Sequence, residues 1–191
     1  MTSNRTSHEQ DSLCTAELSA DVLAGCCAGD RGAQKSLYDR CQAQVYCLMV
    51  RLVGVHNAED LTQQVFLQVF RKLHQFAQES RFETWLYRLA TNEALQFLRK
   101  ERRWRFQPLL VDPMSQKPEE NEGHDRRDLL EHALLRLDPE LRSVFVLKEL
   151  ESLSYREIAE AMEIPEGTVG SRLNRARREL QQHLTELGWE A

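Results

Sequence analysis

The strongest constraint on the fold is the spacing of apolar residues, which recur every three or four positions along most of the chain. This is the period of an α-helix with one buried face, whereas a half-buried β-strand alternates at every second residue. No segment carries a convincing strand pattern. The sequence therefore predicts an all-α fold in which the helices pack through their apolar stripes.

Local signals predict where several helices begin and end. Gly54 closes the apolar stripe that starts at Leu37, since glycine commonly follows the last turn of a helix. A capping serine three positions before a glutamate forms a capping box, in which the two side chains satisfy free backbone N–H groups. Predicted helix starts are Asn57, Ser80 with Glu83, Asp138 followed by Pro139, and Ser154 with Glu157.

The helical pattern fails between about 107 and 126, a stretch with three prolines, one glycine and many acidic residues. Because a structureless loop of this length is uncommon inside a compact domain, we interpret it as a flexible acidic linker between two small helical domains. The predicted divisions are a flexible tail at 1–18, a first domain at 19–106, the linker at 107–126 and a second domain at 127–187.

Charge is distributed unevenly along the chain, although the net charge is -5. Residues 97–107 hold five basic side chains against Glu101, and residues 108–125 hold five acidic side chains against Lys117. This alternation predicts a basic contact surface followed by an acidic tether. The overall negative charge also predicts that the isolated protein binds DNA poorly.

Several classes of protein are disfavoured by the sequence. It has no P-loop, no G-x-S-x-G and no H-E-x-x-H motif, so we expect no enzyme activity and no cofactor. The five cysteines form no C-x-x-C pair, which favours packing over a metal site. No apolar run is long enough to span a bilayer and the amino terminus lacks a signal-peptide pattern, so we expect a cytoplasmic protein.

The most specific signal is a helix-turn-helix pattern at about 155–174. A capped short helix, a turn at 163–165 and a longer helix follow one another there. The face of the last helix opposite its apolar stripe carries polar and basic residues at spacings of three and four, namely Thr168, Ser171, Arg172, Arg175 and Arg178. Arginine can pair with guanine or with phosphate. A solvated amphipathic helix is the alternative, but four arginines within seven residues favour DNA.

The same residues resemble the extracytoplasmic function (ECF, group 4) sigma factors of the sigma-70 family. S-Y-R-E-I-A-E-A-M-E-I-P-E-G-T-V-G-S-R-L-N-R-A-R-R-E-L resembles region 4.2, and L-L-R-L-D-P-E-L-R-S-V-F-V-L-K-E-L-E-S-L resembles region 4.1. N-A-E-D-L-T-Q-Q-V-F-L-Q-V-F-R-K-L resembles region 2.2, and F-E-T-W-L-Y-R-L-A-T-N-E-A-L-Q-F-L-R-K resembles regions 2.3 and 2.4. The resemblance covers roughly residues 20–106 and 127–187, in the family's order.

This resemblance implies a transcription initiation factor that binds core RNA polymerase and recognises the -10 and -35 elements of promoters. The implied partners are the β′ clamp helices and the β flap of the polymerase, promoter DNA and an anti-sigma factor, with no membrane insertion of its own. The main alternative is a helix-turn-helix regulator of the LuxR type, which would need a receiver or ligand-binding domain before the DNA-binding tail.

The resemblance also assigns residues to three contacts. For core polymerase they are Asp60, Leu61, Gln63, Gln64, Phe66, Leu67 and Phe70. For the -10 element they are Arg88, Asn92, Gln96, Arg99, Lys100, Arg102 and Arg103. For the -35 element they are Thr168, Ser171, Arg172, Asn174, Arg175 and Arg178.

Two positions depart from the family pattern, and one aromatic residue has two interpretations. Gln64 stands where many relatives carry a carboxylate, and Gly170 stands where many carry a basic residue. Trp85 and Tyr87 lie in the segment implied to face the -10 element, but Trp85 also fits the buried stripe, and we predict that it belongs to the core.

Overall fold

The computed structural model describes residues 19–76, 80–105 and 126–189. These residues form α-helices joined by turns, with no β-strand among them, which confirms the predicted all-α class. The helices are α1 (Ala20–Cys27), α2 (Arg31–Val53), α3 (Val55–Lys72), α4 (Phe82–Arg105), α5 (Arg126–Arg136), α6 (Pro139–Phe145), α7 (Tyr155–Met162) and α8 (Glu166–Glu186). A 3-10 turn (Leu73–Gln75) follows α3, and a π-helical turn (Val146–Leu150) follows α6.

The N-terminal half, residues 19–105, is built around the antiparallel pair α2 and α3. The Asp30 carboxylate caps α2 by accepting from the backbone N–H groups of Gly32 at 2.6 Å and Ala33 at 3.1 Å. Gly54 then reverses the chain with a φ of 85°, a conformation that glycine adopts without steric cost. The predicted cap at Asn57 is wrong, because this reversal lets α3 begin at Val55.

The predicted apolar stripes of α2 and α3 form the core of this half. Cys41 is fully buried, which agrees with its predicted packing role, while Cys47 is half-buried. Cys14 lies outside the described residues. The buried stripe residues are Leu37, Cys41, Val45, Leu48 and Leu52 of α2 with Leu61, Val65, Phe66 and Val69 of α3.

Helix α4 begins two residues after its predicted cap. The carbonyl of Arg81 accepts from the N–H of Trp85 at 3.2 Å, so Arg81, and not Ser80, occupies the cap position. The Glu83 carboxylate lies 3.6 Å from the guanidinium of Arg81. The capping box predicted at Ser80 is therefore wrong, because α4 begins at Phe82 and Glu83 is its second residue, whereas a capping box needs the glutamate at the third.

The C-terminal half, residues 126–189, begins its helices where the sequence predicted. Asp138 caps α6 by accepting from the N–H of Glu140 at 3.0 Å, with Pro139 as the first helical residue. Ser154 and Glu157 form both hydrogen bonds of a capping box at the start of α7. The stripe of α8 is buried at Val169, Leu173, Ala176 and Leu180.

The two halves pack against each other, an arrangement that the sequence did not predict. Helix α7 lies along α4, and α5 contacts α2. At their centre, the buried guanidinium of Arg142 donates to the carbonyl of Leu52 in α2 and to the carbonyls of Leu135 and Leu137 at 2.9 and 3.0 Å. Burial lowers the pKa of Arg142 to about 10, so the group stays protonated at neutral pH. Most of the linker predicted at 107–126, and the whole tail predicted at 1–18, lie outside the described residues.

Candidate nucleic-acid interface

The helix-turn-helix is fixed by the turn between α7 and α8. Glu163 ends α7 in the left-handed conformation with a φ of 55°, and the N–H of Ile164 bonds back to the carbonyl of Ala159 at 3.1 Å. Pro165 then leads into α8. The buried faces of both helices, including Ile158 and Leu173, pack together and hold α8 with its polar face outward.

The residues predicted to contact the -35 element lie together on this outward face of α8. Ser171, Asn174, Arg175 and Arg178 are exposed, while Thr168 and Arg172 are half-buried. Part of the face borders a shallow cleft of about 460 Å³ between α8 and the start of α6. The cleft is lined by Asp138, Glu140, Leu141, Thr168, Ser171, Arg172 and Arg175.

Acidic side chains hold several arginines of α8 in place. Arg172 pairs with the Glu140 carboxylate of α6 at 2.6 Å, and Arg175 pairs with Glu179 one turn along the same helix at 2.7 Å. Arg175 remains 64% exposed, so its pair is a solvated contact that phosphate can replace. These ion pairs hold the arginines on the outward face of α8 in place, and they partly neutralise the positive charge of that face.

The residues predicted to contact the -10 element form a line along α4. Arg88, Gln96 and Arg99 are exposed and Asn92 is half-buried, at helical spacings that place them on one side. Lys100, Arg102 and Arg103 continue the line as an exposed basic end. The structure thus brings the predicted residues together on one helix.

The two aromatic residues of this segment differ in their environment. Trp85 is half-buried and packs at the edge of the core against Phe76 and Phe82, with ring centroids 5.5 and 5.7 Å apart. Tyr87 is buried, its hydroxyl donating to Glu151 at 2.5 Å and accepting from the amide of Gln44. In this conformation Tyr87 is covered by the C-terminal half and presents no surface for a DNA base.

The residues predicted to contact core polymerase divide into an exposed set and a buried set on α3. Asp60, Gln63, Gln64 and Leu67 face outward, and Leu67 is 66% exposed, which is unusual for an apolar side chain of this size. Phe70 is half-buried. Leu61 and Phe66 lie in the core, so they support the helix and are removed from the set of direct contacts.

Acidic side chains near these surfaces make contacts between the two halves that the sequence did not predict. Glu140 contacts Arg99, and Glu157 contacts Thr84. Glu151 contacts both Arg51 and Tyr87. All four partners lie in the N-terminal half. The paired positions are 41 to 100 residues apart in sequence, so no local pattern could indicate them.

Both halves match the sigma-70 family. The family described as Sigma-70 region 2 matches residues 37–104, and Sigma-70, region 4 matches residues 127–180. The ECF RNA polymerase sigma-E factor of Haemophilus influenzae is 34% identical over 175 residues, which cover 83% of this chain and 91% of that protein. The chain belongs to the ECF sigma factors. It is therefore a transcription initiation factor of a non-enzymatic family.

Other relatives agree with this assignment. The ECF RNA polymerase sigma factor SigE of Mycolicibacterium smegmatis is 39% identical over 166 residues, covering 82% of this sigma factor but only 64% of SigE. Among solved structures, the sigma factor RpoE from Bartonella quintana, in complex with the anti-sigma factor NepR, is similar with a TM-score of 0.63 and 25% identity. That match covers 79% of this chain and 96% of RpoE. No helix among the described residues is long and apolar enough to cross a membrane.

Proposed function

We propose that this sigma factor directs core RNA polymerase to promoters through three separate surfaces, on α3, α4 and α8. The observation that carries the proposal is the outward face of α8, where polar and basic side chains recur at helical spacing directly after a helix-turn-helix. Such a face fits the major groove, and arginine is the side chain that most often reads guanine there.

On the upstream surface, Arg172 and Arg175 are the proposed readers of the -35 element. Their guanidinium groups can form two parallel hydrogen bonds to a guanine edge or to a phosphate. Ser171 and Asn174 are exposed beside them and add hydrogen bonds to bases or backbone. Arg178, one turn further on, is exposed and is the proposed phosphate contact.

On the downstream surface, α4 is the proposed contact for the -10 element. Melting a duplex exposes unstacked bases and a single-stranded backbone, which basic side chains with neighbouring polar groups hold well. Arg88 and Asn92 lie in the middle of the helix, and the basic end from Arg99 to Arg103 supplies phosphate contacts.

The third surface, on α3, is the proposed contact with the clamp helices of the polymerase β′ subunit. Leu67 supplies exposed apolar area, and Gln63 and Gln64 supply hydrogen bonds beside it. The resemblance adds the β flap as the partner of the C-terminal half and an anti-sigma factor as a regulator. Because polymerase and promoters lie in the cytoplasm, we place the protein there.

The proposed domain organisation follows from these surfaces. A first domain over 19–106 carries α3 and α4, a second over 127–187 carries the helix-turn-helix, and 107–126 links them, after a tail at 1–18. A linker of about 20 residues can span up to roughly 70 Å when fully extended. That reach lets the two domains contact promoter elements about two helical turns apart, at about 35 Å per turn.

Substitution of Arg175 tests the upstream assignment. Arg175→Ala should weaken holoenzyme binding to a cognate promoter by about 1–3 kcal/mol if the arginine reads a base. Arg156→Ala is the matched control, since Arg156 is 82% exposed and also pairs with a glutamate four positions along its helix. Electrophoretic titration of both variants gives the two affinities. Equal binding by both, with the fold intact, would remove α8 from the interface.

A further inference from the structure

A short ion pair joins the proposed recognition helix α8 to the start of α6. The Oε2 atom of Glu140 lies 2.6 Å from Nη2 of Arg172, and the two side chains are 39% and 26% exposed. Both residues line the cleft between α6 and α8, together with Thr168 and Ser171. Because the pair is partly shielded from water, its attraction is stronger than that of a fully exposed surface pair.

Glu140 is held in position by the local structure of α6. Its backbone N–H donates to the capping carboxylate of Asp138 at 3.0 Å, which fixes Glu140 in the first turn of the helix. Leu141 and Val144 of the same helix are buried, and α6 packs directly on α8. The Glu140 carboxylate therefore reaches Arg172 from a packed helix and not from a loop.

Arg175, the other proposed reader of the -35 element, is held differently. Its partner Glu179 lies one turn along the same helix at 2.7 Å, and the Arg175 side chain is 64% exposed. An exposed pair within one helix is weak, so it restrains the Arg175 guanidinium little. The partner of Arg172 lies on another helix, so the Arg172 guanidinium is restrained across the cleft.

A restrained guanidinium is suited to reading a base. Recognition of guanine needs two hydrogen bonds from one arginine, and a side chain that becomes ordered only on binding loses rotamer freedom at that step. A guanidinium carries five N–H donors, so a carboxylate oxygen at Nη2 leaves donors for a base. The pair with Glu140 therefore orders Arg172 before DNA binds and still leaves it able to donate.

The same carboxylate disfavours phosphate as a ligand of Arg172. Asp138 and Glu140 both line the cleft, so a phosphate that approaches Arg172 there also meets two negative charges. The edge of a base pair carries no net charge and avoids this repulsion. A group that penalises the wrong ligand raises specificity even where it adds no affinity for the right one.

We propose that Glu140 is a positioning residue for promoter recognition, which directs the Arg172 guanidinium toward a base edge of the -35 element and away from the phosphate backbone. The inference rests on the proposed function for the assignment of Arg172 to the -35 element. Glu140 acts through Arg172, and it raises the discrimination between promoter sequences more than the overall affinity for DNA.

A double-mutant cycle of Glu140→Gln and Arg172→Ala, measured on holoenzyme, tests this role. In a promoter that the wild-type holoenzyme transcribes, each base pair of the -35 element is substituted in turn. Titration gives the ratio of the affinities for the original and the substituted promoter, which is the discrimination at that base pair. Glutamine at 140 keeps the side-chain volume and the contact with Asp138, which uses the backbone N–H.

The matched control is Glu186→Gln. It removes the same charge from a carboxylate that also pairs with an arginine of another helix in the C-terminal half, Arg136 at 3.6 Å. Glu186 lies about 21 Å along α8 from Arg172, at a rise of about 1.5 Å per residue. The control therefore measures the effect of net charge without a contact to Arg172.

Arg172→Ala should lower the discrimination at one base pair by about 5 to 150 times, the loss expected for a bidentate contact. Glu140→Gln should lower it by about 3 to 10 times at the same base pair, because Arg172 remains but is less restrained. Glu186→Gln should leave it unchanged. Unchanged discrimination in Glu140→Gln, or an equal loss in the control, would overturn the proposal.

The double variant separates positioning from other effects of the lost charge. Glu140 also lies 3.5 Å from Arg99 of α4, and the loss of that contact would act without Arg172. In the Arg172→Ala background, Glu140→Gln should therefore lower the discrimination no further. A loss of the same size in that background would contradict a role through Arg172.

Failure of the proposed function would give a different result from failure of the positioning role. If Arg172→Ala lowers the discrimination at no base pair, Arg172 does not read the -35 element, and both the assignment and the positioning role are wrong. If Arg172→Ala lowers the discrimination and Glu140→Gln does not, the assignment of Arg172 stands and only the positioning role is wrong.

Discussion

At the scale of single residues, Arg142 shows how a buried charge can be held by hydrogen bonds to backbone carbonyls. Its guanidinium is 5% exposed and bonds to three backbone carbonyls near the ends of α2 and α5. The carbonyls of Leu52 and Leu135 lie in the last turns of α2 and α5, and that of Leu137 follows α5, so the helices themselves offer them no N–H partner four residues on. One side chain therefore satisfies helix ends from both halves.

Substituting Arg142 should destabilise the protein more than substituting a surface arginine. Arg142→Ala leaves its carbonyl partners without this donor, which should lower the free energy of unfolding by at least about 2 kcal/mol. The control Arg156→Ala, at an exposed helical pair, should change it by less than about 0.5 kcal/mol. Urea unfolding followed by circular dichroism measures both. Similar effects in the two variants would show that the Arg142 contacts contribute nothing net.

Gly170 raises the question of whether its missing side chain serves the fold. A Cβ added there would lie 3.6 Å from the ring of Tyr155, an ordinary van der Waals distance, so the fold does not require glycine. Glycine within a helix costs roughly 0.5–1 kcal/mol relative to alanine. The packing within the chain thus gives no reason for glycine at position 170, which favours the interpretation that glycine is simply tolerated there.

Gly170→Arg should therefore raise the affinity of holoenzyme for promoter DNA and steepen its salt dependence, since one more phosphate is neutralised. A titration of one promoter across a salt series, with wild type beside the variant, measures both quantities. Clear loss of binding by a stably folded variant would indicate that the backbone of α8 approaches DNA closely at this position.

At the scale of elements, helix starts were predicted well where a side chain caps its own helix. Ser154 with Glu157 and Asp138 with Pro139 act through contacts within three residues, which sequence spacing reveals. The predictions at Asn57 and Ser80 failed because neighbouring residues decided the boundary. Gly54 reversed the chain early in one case, and Arg81 took the cap position in the other.

Glu157 links the start of α7 to α4 and gives the protein a pH-dependent contact. Burial raises its pKa, but hydrogen bonds from Ser154 and Thr84 and the charge of Arg81 outweigh this and lower the pKa overall. A carboxyl group with a lowered pKa in the folded state contributes stability above its unfolded pKa. That contribution is lost as pH falls through the folded value.

The stability difference between wild type and Glu157→Gln should therefore be constant from neutral pH down to about pH 5 and shrink below about pH 4.5, the ordinary pKa of the group. Urea unfolding at a series of pH values gives this difference, with Glu160→Gln as the control for a charge lost elsewhere on α7. A difference that grows toward acid pH would contradict the assigned direction.

At the scale of the whole molecule, the sequence indicated the helical class and the residues of α4 and α8 but not the contact between the halves. Apolar periodicity indicates which side of each helix is buried, but it is read within one helix and does not indicate which helices pack together. The pair between Arg51 and Glu151 joins positions 100 residues apart, and charged residues of both signs occur on any soluble helix, so their spacing does not reveal which of them pair. Leu61 and Phe66 were predicted as contacts from the resemblance, although they also belong to the apolar stripe of α3, and they lie in the core.

As an ECF sigma factor, this chain should convert core RNA polymerase into a promoter-specific enzyme. The most direct measurement is run-off transcription with purified bacterial core polymerase and a promoter library, alongside DNA binding by the isolated protein. We predict discrete run-off products that require the sigma factor, together with weak binding of the isolated protein to the same promoters at physiological salt. Absence of any sigma-dependent product from a library that includes a cognate promoter would contradict a role of this chain in promoter-specific initiation.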